Sequence, residues 1–300
     1  MINGIINIYK EKGYTSHDVV AKMRGILKTK KIGHTGTLDP DAIGVLPVCI
    51  GKATKLVDMI TDKDKTYEAV CKLGITTDTQ DMTGTILKTS EIKPDLSNIT
   101  EVIQSYIGEY LQLPPMYSAI KVNGKRLYEL ARQGKEIERE RRKVFIKDIQ
   151  MLDYSNENNE FTVVVQCTKG TYIRTLLHDI GETLGCGGTM KSLTRTAVGK
   201  FTLNKAVKLS KLEELVRDEK LQDYIIPVDH IFMEYDKVIV EEEYNKLIYN
   251  GNTFLLEHTK EKDKVINSQL VRVYDGNDVF IGVYQYDKEI HIFKPYKMFL

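Results

Sequence analysis

The sequence predicts an α+β protein, with a mixed and mainly antiparallel sheet flanked by helices and followed by a small β-rich C-terminal module. Strand patterns occur at residues 66–73, where polar and apolar side chains alternate, and at 161–168, which is rich in β-branched residues. Helical segments are interspersed without the regular alternation of a doubly wound fold. The composition changes near Pro227, and we expect domains at 1–228 and 229–300.

The elements of the first predicted domain follow from hydrophobic spacing and from helix start signals. A short strand is expected at 4–9. The run Thr15-Ser16-His17-Asp18 has the composition of a helix N-terminus, and the apolar residues after it are spaced three and four apart. In the strand 66–73, Tyr67 shares the apolar, inward-facing side.

Two more helices are predicted in this domain. The strand 161–168 is followed by Lys169-Gly170-Thr171 and then by apolar residues at helical spacing, which places Arg174 in the first turns of a helix. An acidic helix is predicted over residues 212–223.

The C-terminal module is predicted to consist mainly of short strands. One is expected around Val238-Ile239-Val240, and a helix after it ends at Asn250-Gly251. The strands 270–274 and 279–286 form a hairpin, because Asp275-Gly276-Asn277-Asp278 between them has the composition of a turn.

Composition and charge exclude several classes of function. The 43 Lys and Arg residues nearly balance the 42 Asp and Glu residues, so a polyanionic partner has to be bound by a local basic patch. The four cysteines have neither C-x-x-C spacing nor a histidine at a ligand spacing, and indicate neither a zinc site nor a disulfide framework. The sequence shows no targeting segment and no apolar run of membrane-spanning length, and a cytoplasmic location is expected.

The segment Gly33-His34-Thr35-Gly36-Thr37-Leu38-Asp39-Pro40 places one carboxylate in a constrained loop. Glycine allows backbone conformations that other residues avoid, and Pro40 disfavours the α conformation at Asp39. The pattern fits a turn in which Asp39 binds its own backbone, and it also fits a nucleophile presented to a substrate. Asp41 adds a second carboxylate, so the motif alone leaves open which one acts.

Several segments resemble motifs of the TruB-type tRNA pseudouridine synthases, and together they span most of residues 1–200. They lie at 33–39, 44–55, 65–68, 114–119, 169–176 and 190–196. The resemblance implies the pseudouridine synthase fold for the first domain. The C-terminal module resembles, by composition, the PUA-like RNA-binding domain that often accompanies these enzymes.

The resemblance also implies roles for individual residues. Asp39 would attack a flipped-out uridine, and Tyr67 would stack on the base and take part in proton transfer. Arg174 would pair with Asp39, and its guanidinium is expected to lower the pKa of that carboxyl and keep it ionised. Leu193 would be the apolar residue against the base.

Further residues are expected to bind the RNA. Tyr172 is a predicted substrate contact, and His34 matches the family residue that fills the gap left when the base leaves its stack. Residues 121–147 contain ten basic and four acidic side chains, and the segment 114–147 resembles a thumb-like insertion that closes on tRNA. The phosphate contacts expected within this thumb are Arg139, Arg141, Arg142 and Lys143.

The expected reaction is isomerisation of uridine 55 in the T loop of tRNA to pseudouridine, with attack of Asp39 at ribose C1′ or at base C6. Nothing is oxidised and no group leaves the site, so no cofactor or metal is expected. The expected partner is the T stem-loop of tRNA. The protein is expected to act as a monomer, without guide RNA, accessory protein or membrane.

Two other classes of function remain open from the sequence. A tRNA-binding folding factor (chaperone), with secondary or lost catalysis, would use the same basic surface. A retaining glycoside hydrolase could use Asp39 as its nucleophile, but it needs a second carboxyl group at about 5 Å. Asp41 is too close to Asp39 in the sequence to be a good candidate for that second carboxyl group.

Overall fold

The computed structural model describes residues 2–122, 124–262, 266 and 269–300 of the chain. The strands, in chain order, are β1 (Gly4–Lys10), β2 (Ile32–His34), β3 (Ile43–Ile50), β4 (Lys65–Leu73), β5 (Ile75–Thr77), β6 (Ile86–Thr89), β7 (Gly108–Gln112), β8 (Lys121–Val122), β9 (Lys125–Arg126), β10 (Arg142–Ser155), β11 (Glu160–Cys167), β12 (Gly188–Val198), β13 (Phe201–Thr202), β14 (Asp236–Ile239), β15 (Phe254–Leu255), β16 (Leu270–Tyr274), β17 (Phe280–Asp287) and β18 (Ile292–Met298). The α-helices are α1 (Ser16–Leu27), α2 (Val57–Thr61), α3 (Leu96–Ser105), α4 (Leu127–Ala131), α5 (Ile173–Thr183), α6 (Leu209–Arg217) and α7 (Asn245–Tyr249). Short 3₁₀ helices lie at Gly51–Leu56, Leu203–Lys205, Leu221–Tyr224, Val228–Phe232, Glu242–Tyr244 and Leu256–His258.

The larger sheet has nine strands within the described part of the chain. Their order is β1-β3-β12-β4-β11-β10-β7, with β2 beside β3 and β13 beside β12. Neighbouring strands are antiparallel except for β3 and β12, which are parallel. The prediction of a mixed, mainly antiparallel sheet is therefore confirmed. The hairpins β5–β6 and β8–β9 stand outside this sheet.

Helix α1 begins where the sequence predicts it. The Thr15 hydroxyl accepts a hydrogen bond from the N–H of Asp18 at 3.1 Å, and the Asp18 carboxylate accepts one from the N–H of Thr15 at 2.8 Å. This reciprocal capping box satisfies two backbone donors at the start of the helix. Val19, Val20 and Met23 then pack on β1 and β3, so the helix is fixed against the sheet.

Strands β4 and β11 and helix α5 also agree with the sequence prediction. Along β4 the buried and less buried side chains alternate, and Tyr67 lies on the buried face. β11 pairs with β4 and places Val165 opposite Tyr67. The chain then enters α5, whose second residue is Arg174, so the helix brings this guanidinium to the side of the sheet that holds Tyr67.

The acidic helix predicted over 212–223 is shorter than expected. Helix α6 ends at Arg217, and a separate 3₁₀ turn follows at Leu221–Tyr224. The break includes Glu219, whose φ is +57°, so the backbone there is left-handed and cannot continue the helix. The break has a packing reason, because Leu212 of α6 and the first residue of the 3₁₀ turn reach the same core cluster.

One core cluster lies between the nine-stranded sheet and helices α3 and α5. It includes Ile99 and Ile103 from α3, together with Leu176 and Leu177 from α5. The same cluster contains two residues of the candidate site, Tyr67 and Leu193. It also contains Leu38, Ala42 and Ile173, which lie near site residues in the sequence. The candidate site therefore lies at the edge of the core and is supported by it.

The C-terminal module is a five-stranded sheet in the order β14-β16-β17-β18-β15. The predicted hairpin is formed by β16 and β17. In its turn the Asp275 carboxylate accepts hydrogen bonds from the N–H groups of Asn277 and Val279, both at 2.9 Å. Helix α7 is capped by Asn250, as predicted. The identity of the module as a PUA-like domain stays a prediction.

The module packs on the nine-stranded sheet through an apolar cluster centred on aromatic rings. The centroid of the Phe232 ring lies 6.3 Å from that of Phe280 and 5.9 Å from that of Phe299. Ile5 and Val45 from the larger sheet belong to the same cluster. The predicted domain boundary after residue 228 falls in the 3₁₀ helix that carries Phe232, and it stays a prediction.

Truncation of the aromatic centre of this contact should destabilise the protein. Phe232 is 2% exposed, and we expect Phe232→Ala to lower the free energy of unfolding by about 3–5 kcal/mol through lost burial and a cavity. Equilibrium urea unfolding measures this. Tyr296 in β18 is 60% exposed, and Tyr296→Ala is the control, with an expected change below about 1 kcal/mol. Equal losses in the two variants would contradict the assigned packing.

Candidate active site

The loop between β2 and β3 carries Asp39 and is held at several backbone positions. Thr35 donates from its backbone N–H and from its hydroxyl to the carbonyl of Pro47, each at 3.1 Å. On the other side of the loop, the Lys10 ammonium donates to the carbonyl of Pro40 at 3.0 Å. Lys10 is fully buried and lies beneath the loop. Asp39 is thus presented by a loop that is anchored before and after it.

Asp39 and Arg174 form the central ion pair of the site. The Nε of Arg174 lies 3.0 Å from Oδ2 of Asp39, and the Nη2 donates to Oδ1 at 3.3 Å. Two donors of one planar guanidinium therefore meet the two oxygens of one carboxylate, which fixes the orientation of the carboxylate. The side chain of Arg174 is 6% exposed, while that of Asp39 is 39% exposed, so the carboxylate remains accessible.

Arg174 also binds two other segments of the chain. Its Nη1 donates to the carbonyl of Thr79 at 3.0 Å and lies 3.4 Å from the carboxylate of Asp81, in the loop between β5 and β6. Its Nη2 donates to the carbonyl of Tyr117 at 2.8 Å, which lies at the base of the thumb. A buried guanidinium thus joins the Asp39 loop, the β5–β6 loop and the thumb.

The second carboxylate of the motif is in a different environment. The side chain of Asp41 is 52% exposed, and its only ion pair among the described residues is with Lys12, at 3.8 Å. Arg174 contacts Asp39 and not Asp41. The geometry therefore distinguishes the two carboxylates, which the motif alone did not.

The pKa of Asp39 differs from the sequence expectation. Burial raises the pKa above its ordinary value, and the nearby Asp81 acts in the same direction. The Arg174 guanidinium lowers the pKa, as expected, but it does not outweigh burial. The prediction that Arg174 depresses the pKa below the ordinary value is therefore wrong in its net direction. The reason is that burial of the carboxyl outweighs the attraction of Arg174, and the negative charge of Asp81 adds to the effect of burial.

Tyr67 lies beside a second buried arginine. In the register of the sheet, Tyr67 faces Arg195 of β12, and the Arg195 side chain interacts directly with the Tyr67 hydroxyl. Arg195 also donates to the carbonyl of Val45 at 2.7 Å and to that of Gly36 at 3.2 Å, and it is 1% exposed. Burial raises the pKa of Tyr67, so its hydroxyl is neutral at physiological pH.

Apolar side chains form the wall around these polar groups. Leu193 is 8% exposed and lies with Leu38, Ala42 and Tyr67 in one buried cluster. Tyr172 precedes α5 and is half-buried, and its backbone N–H and carbonyl both bind the side chain amide of Gln112, at 2.8 and 2.9 Å. The structure therefore brings Asp39, Tyr67, Tyr172, Arg174 and Leu193 together into one site over the central strands β4 and β12.

His34 ends strand β2 and lies next to the loop that it introduces. Its ring meets the ring of His17 edge to face, with the centroids 5.2 Å apart and an interplanar angle of 80°. Its Nδ1 is buried and has no hydrogen-bond partner among the described residues. Burial, aided by the charges of His17 and Arg195, lowers the pKa of His34 to about 4, so the ring is neutral at physiological pH.

The four basic residues expected to bind phosphates are not equivalent. Arg139 is 16% exposed and donates to the carbonyl of Pro114 at 3.1 Å, so it holds the thumb together. Arg141 donates to the carbonyl of Leu111 at 3.0 Å, and Lys143 pairs with Glu109 at 2.7 Å. The Arg142 side chain is exposed and makes no hydrogen bond or ion pair with another described residue. The positive charge of Arg142 interacts with the Tyr172 hydroxyl, so Arg142 lies close to this residue of the site.

Sequence reasoning did not single out Asp81 or Arg195. Asp81 lies in a polar loop, where it accepts hydrogen bonds from the Thr79 hydroxyl at 2.8 Å and the N–H of Thr83 at 3.0 Å. Nothing in the local sequence separates it from other polar loop residues. Arg195 did have a signal, because it is an arginine at an inward-facing position of a strand, two residues after Leu193.

Within the described residues, no group of three or more His, Cys, Asp or Glu side chains is arranged to hold a metal ion. In the same part of the chain, no helix has both the length and the apolar character needed to span a membrane.

Comparison with known proteins agrees with this geometry. Residues 24–173 match the TruB family pseudouridylate synthase N-terminal domain, and residues 174–233 match the tRNA pseudouridylate synthase B C-terminal domain. The chain is 54% identical over 308 aligned positions to tRNA pseudouridine synthase B of Lachnoclostridium phytofermentans, with full coverage of both chains. It is 51% identical over 251 positions to the protein of the same name from Alkaliphilus oremlandii, covering 84% of this chain and 82% of that relative.

A solved structure has the same fold. A chain in the crystal structure of a Cbf5-Nop10-Gar1 complex aligns with a TM-score of 0.72 and 26% identity, over 99% of this chain and 85% of that one. Fold and site together define a pseudouridine synthase, which is an isomerase. The chain belongs to the TruB family of pseudouridylate synthases. The predicted resemblance and fold are confirmed, and the glycoside hydrolase alternative is wrong.

The assigned ion pair predicts how the pKa of Asp39 responds to a mutation. Arg174→Gln removes the positive charge that favours the carboxylate, so the pKa of Asp39 should rise further and its titration should move to higher pH. Carboxyl ¹³C NMR on the folded variant measures this. Lys12→Gln is the matched control, because Lys12 pairs with Asp41 and should leave the titration of Asp39 in place. An unchanged Asp39 titration in Arg174→Gln would contradict the pairing.

Proposed function

We propose that the protein converts uridine 55 in the T loop of tRNA to pseudouridine, with Asp39 as the nucleophile. The observation that carries the proposal is the ion pair of Asp39 with the buried Arg174, in a chain that belongs to the TruB family. The relatives at 54% and 51% identity are named tRNA pseudouridine synthase B, which supports tRNA as the substrate.

The chemistry that fits this site is an isomerisation without redox change. The Asp39 carboxylate attacks ribose C1′, or C6 of the base, and the bond between C1′ and N1 breaks. The uracil turns, C5 forms a bond to C1′, and the bond to Asp39 breaks, which regenerates the carboxylate. C5 then loses its proton, and N1 gains a proton. Atoms and electrons balance within the nucleotide, so no cofactor or metal is needed. Because the pKa of Asp39 is raised, acidification should remove the reactive carboxylate at a higher pH than for an ordinary Asp.

Tyr67 and Leu193 are suited to hold the base during this rotation. The Tyr67 ring provides a face on which a pyrimidine can stack, and its neutral hydroxyl can pass a proton near the reacting carbon. Leu193 is apolar and helps to keep water from the intermediate. The carbonyl of Tyr117, at the base of the thumb, accepts a hydrogen bond from Arg174. Closure of the thumb on RNA would therefore move a group that is bound to the ion pair.

Binding of the RNA is assigned to residues around the site that Asp39 and Arg174 form. His34 is neutral at physiological pH and fits the role of a ring that fills the gap left by the flipped base. Tyr172 and the exposed Arg142 lie on the thumb side. We assign these functions to a monomer in the cytoplasm that needs neither guide RNA nor an accessory protein, because its own chain supplies the groups that the reaction uses.

Tritium release from RNA labelled at uridine C5 tests the reaction, because C5 loses its hydrogen when it bonds to C1′. The wild type should release tritium from a T stem-loop. Asp39→Asn should lower kcat by a factor on the order of 10⁴ or more, as removal of a nucleophile does. Asp41→Asn is the control and should retain activity within about threefold, because Asp41 is exposed and does not contact Arg174.

The outcomes separate the proposal from its alternative. If Asp39→Asn releases tritium at the wild-type rate, Asp39 is not the nucleophile. If the wild type binds tRNA tightly but releases no tritium, the protein is a tRNA-binding folding factor. RNA binding by Asp39→Asn within about threefold of wild type separates recognition from chemistry.

The salt dependence of tRNA binding tests the assignment of Arg142. Each phosphate contact releases counterions, so Arg142→Gln should reduce the slope of log K against log salt by about one. Arg217 on α6 is also exposed at 73%, and Arg217→Gln should leave the slope unchanged. Arg139→Gln should instead lower the melting temperature, because Arg139 holds the Pro114 backbone. An unchanged slope in Arg142→Gln would exclude its role.

A further inference from the structure

The first turn of α1 contacts the Asp39 loop next to the carboxylate. Ser16 is the first residue of the helix and is fully buried. Its hydroxyl accepts a hydrogen bond from the N–H of Leu38 at 2.9 Å and donates to the Leu38 carbonyl at 3.5 Å. Leu38 directly precedes Asp39. The Ser16 hydroxyl therefore holds the peptide unit from which Asp39 extends, 22 residues further along the chain.

The next residue in this turn contacts the beginning of the same loop. His17 is exposed, and its ring meets the ring of His34 edge to face, with the centroids 5.2 Å apart. Edge-to-face contacts of this kind favour a defined ring orientation. The Nδ1 of His34 is buried without a hydrogen bond to any described residue, so the ring is oriented by the contact with His17 and by a hydrogen bond with the Gly36 backbone.

The turn that carries Ser16 and His17 is itself rigid. The capping box between Thr15 and Asp18 closes it, and Val19 and Val20 pack it on the sheet. Behind it, the N–H of Gly13 donates to the carbonyl of Pro40 at 3.0 Å, which ties the segment before the helix to the far side of Asp39. The contacts on both sides of Asp39 thus come from one short stretch of chain.

We propose that the first turn of α1 is a positioning element for the Asp39 loop, in which Ser16 sets the position of Asp39 and His17 sets the orientation of His34. Neither residue touches the reacting atoms, so both are positioning residues. The inference rests on the proposed function, because it assigns the chemical step to one end of the loop and base extraction to the other. The two contacts should therefore affect different steps of the same reaction.

Ser16→Ala tests the first half of the inference. Loss of the hydroxyl releases the Leu38 peptide, so kcat should fall by on the order of tenfold or more. The Kd for T stem-loop RNA should stay within about twofold of the wild-type value. Thr259 is also fully buried and donates one hydroxyl hydrogen bond, to Leu256 at 2.8 Å in the C-terminal module. Thr259→Val is therefore the matched control. It should cost stability without a change in kcat.

A second readout does not depend on activity. In Ser16→Ala the ¹³C resonance of the Asp39 carboxyl should shift, because its distance to Arg174 changes, and in Thr259→Val it should stay in place. If the wild type releases no tritium, the proposed function fails, and this resonance still decides whether Ser16 positions Asp39. An unshifted resonance together with a wild-type kcat in folded Ser16→Ala would overturn the role of Ser16.

His17→Ala tests the second half. A T stem-loop with 2-aminopurine beside the target uridine reports base extraction by its fluorescence. We expect roughly three- to tenfold weaker binding and slower extraction, with an unchanged rate of chemistry once the base is flipped. His17→Phe keeps an aromatic edge against His34 and should restore both values. Wild-type binding and extraction in His17→Ala, or no rescue by His17→Phe, would overturn the role of His17.

Discussion

The buried guanidinium of Arg174 is the constraint on which the rest of the site depends. A charge that is 6% exposed is tolerated only where its donors are paired, and here they are paired with two carboxylates and two carbonyls. Those partners come from the Asp39 loop, the β5–β6 loop and the thumb, which are far apart in the sequence. One side chain on a core-packed helix therefore sets the relative positions of three segments that have little regular structure of their own.

A second buried cation, Arg195, supports the opposite wall and explains a glycine in the motif region. Arg195 reaches Tyr67, Gly36 and Val45 from β12, and it lies opposite Gly44 where β12 pairs with β3. At Gly44 a Cβ would come within 2.2 Å of the Arg195 carbonyl, and the φ of +110° is also in the region that favours glycine. The close approach of two parallel strands is therefore made possible by one missing side chain.

Local patterns in the sequence predicted the parts of the protein that local forces determine. The start of α1, the alternation along β4, the position of Arg174 and the hairpin turn at Asp275 could all be predicted from a few neighbouring residues. Asp81, the burial of Arg139 and the early end of α6 could not, because each depends on a partner distant in the sequence. The net pKa direction of Asp39 was wrong for the same reason, since burial within the fold outweighs the Arg174 charge and the distant Asp81 adds to the effect of burial.

The raised pKa of Asp39 has a consequence for stability as well as for reactivity. A carboxyl whose pKa is higher in the folded than in the unfolded state contributes stability only when protonated, and this contribution is lost as pH rises through the folded-state pKa. An ionised Asp39 is therefore less favourable in the fold than in water, and the contacts at Thr35, Ser16 and Lys10 hold the loop against that cost. Such opposition between stability and function is typical of active sites. It also gives a physical reason why so many backbone hydrogen bonds converge on this one loop.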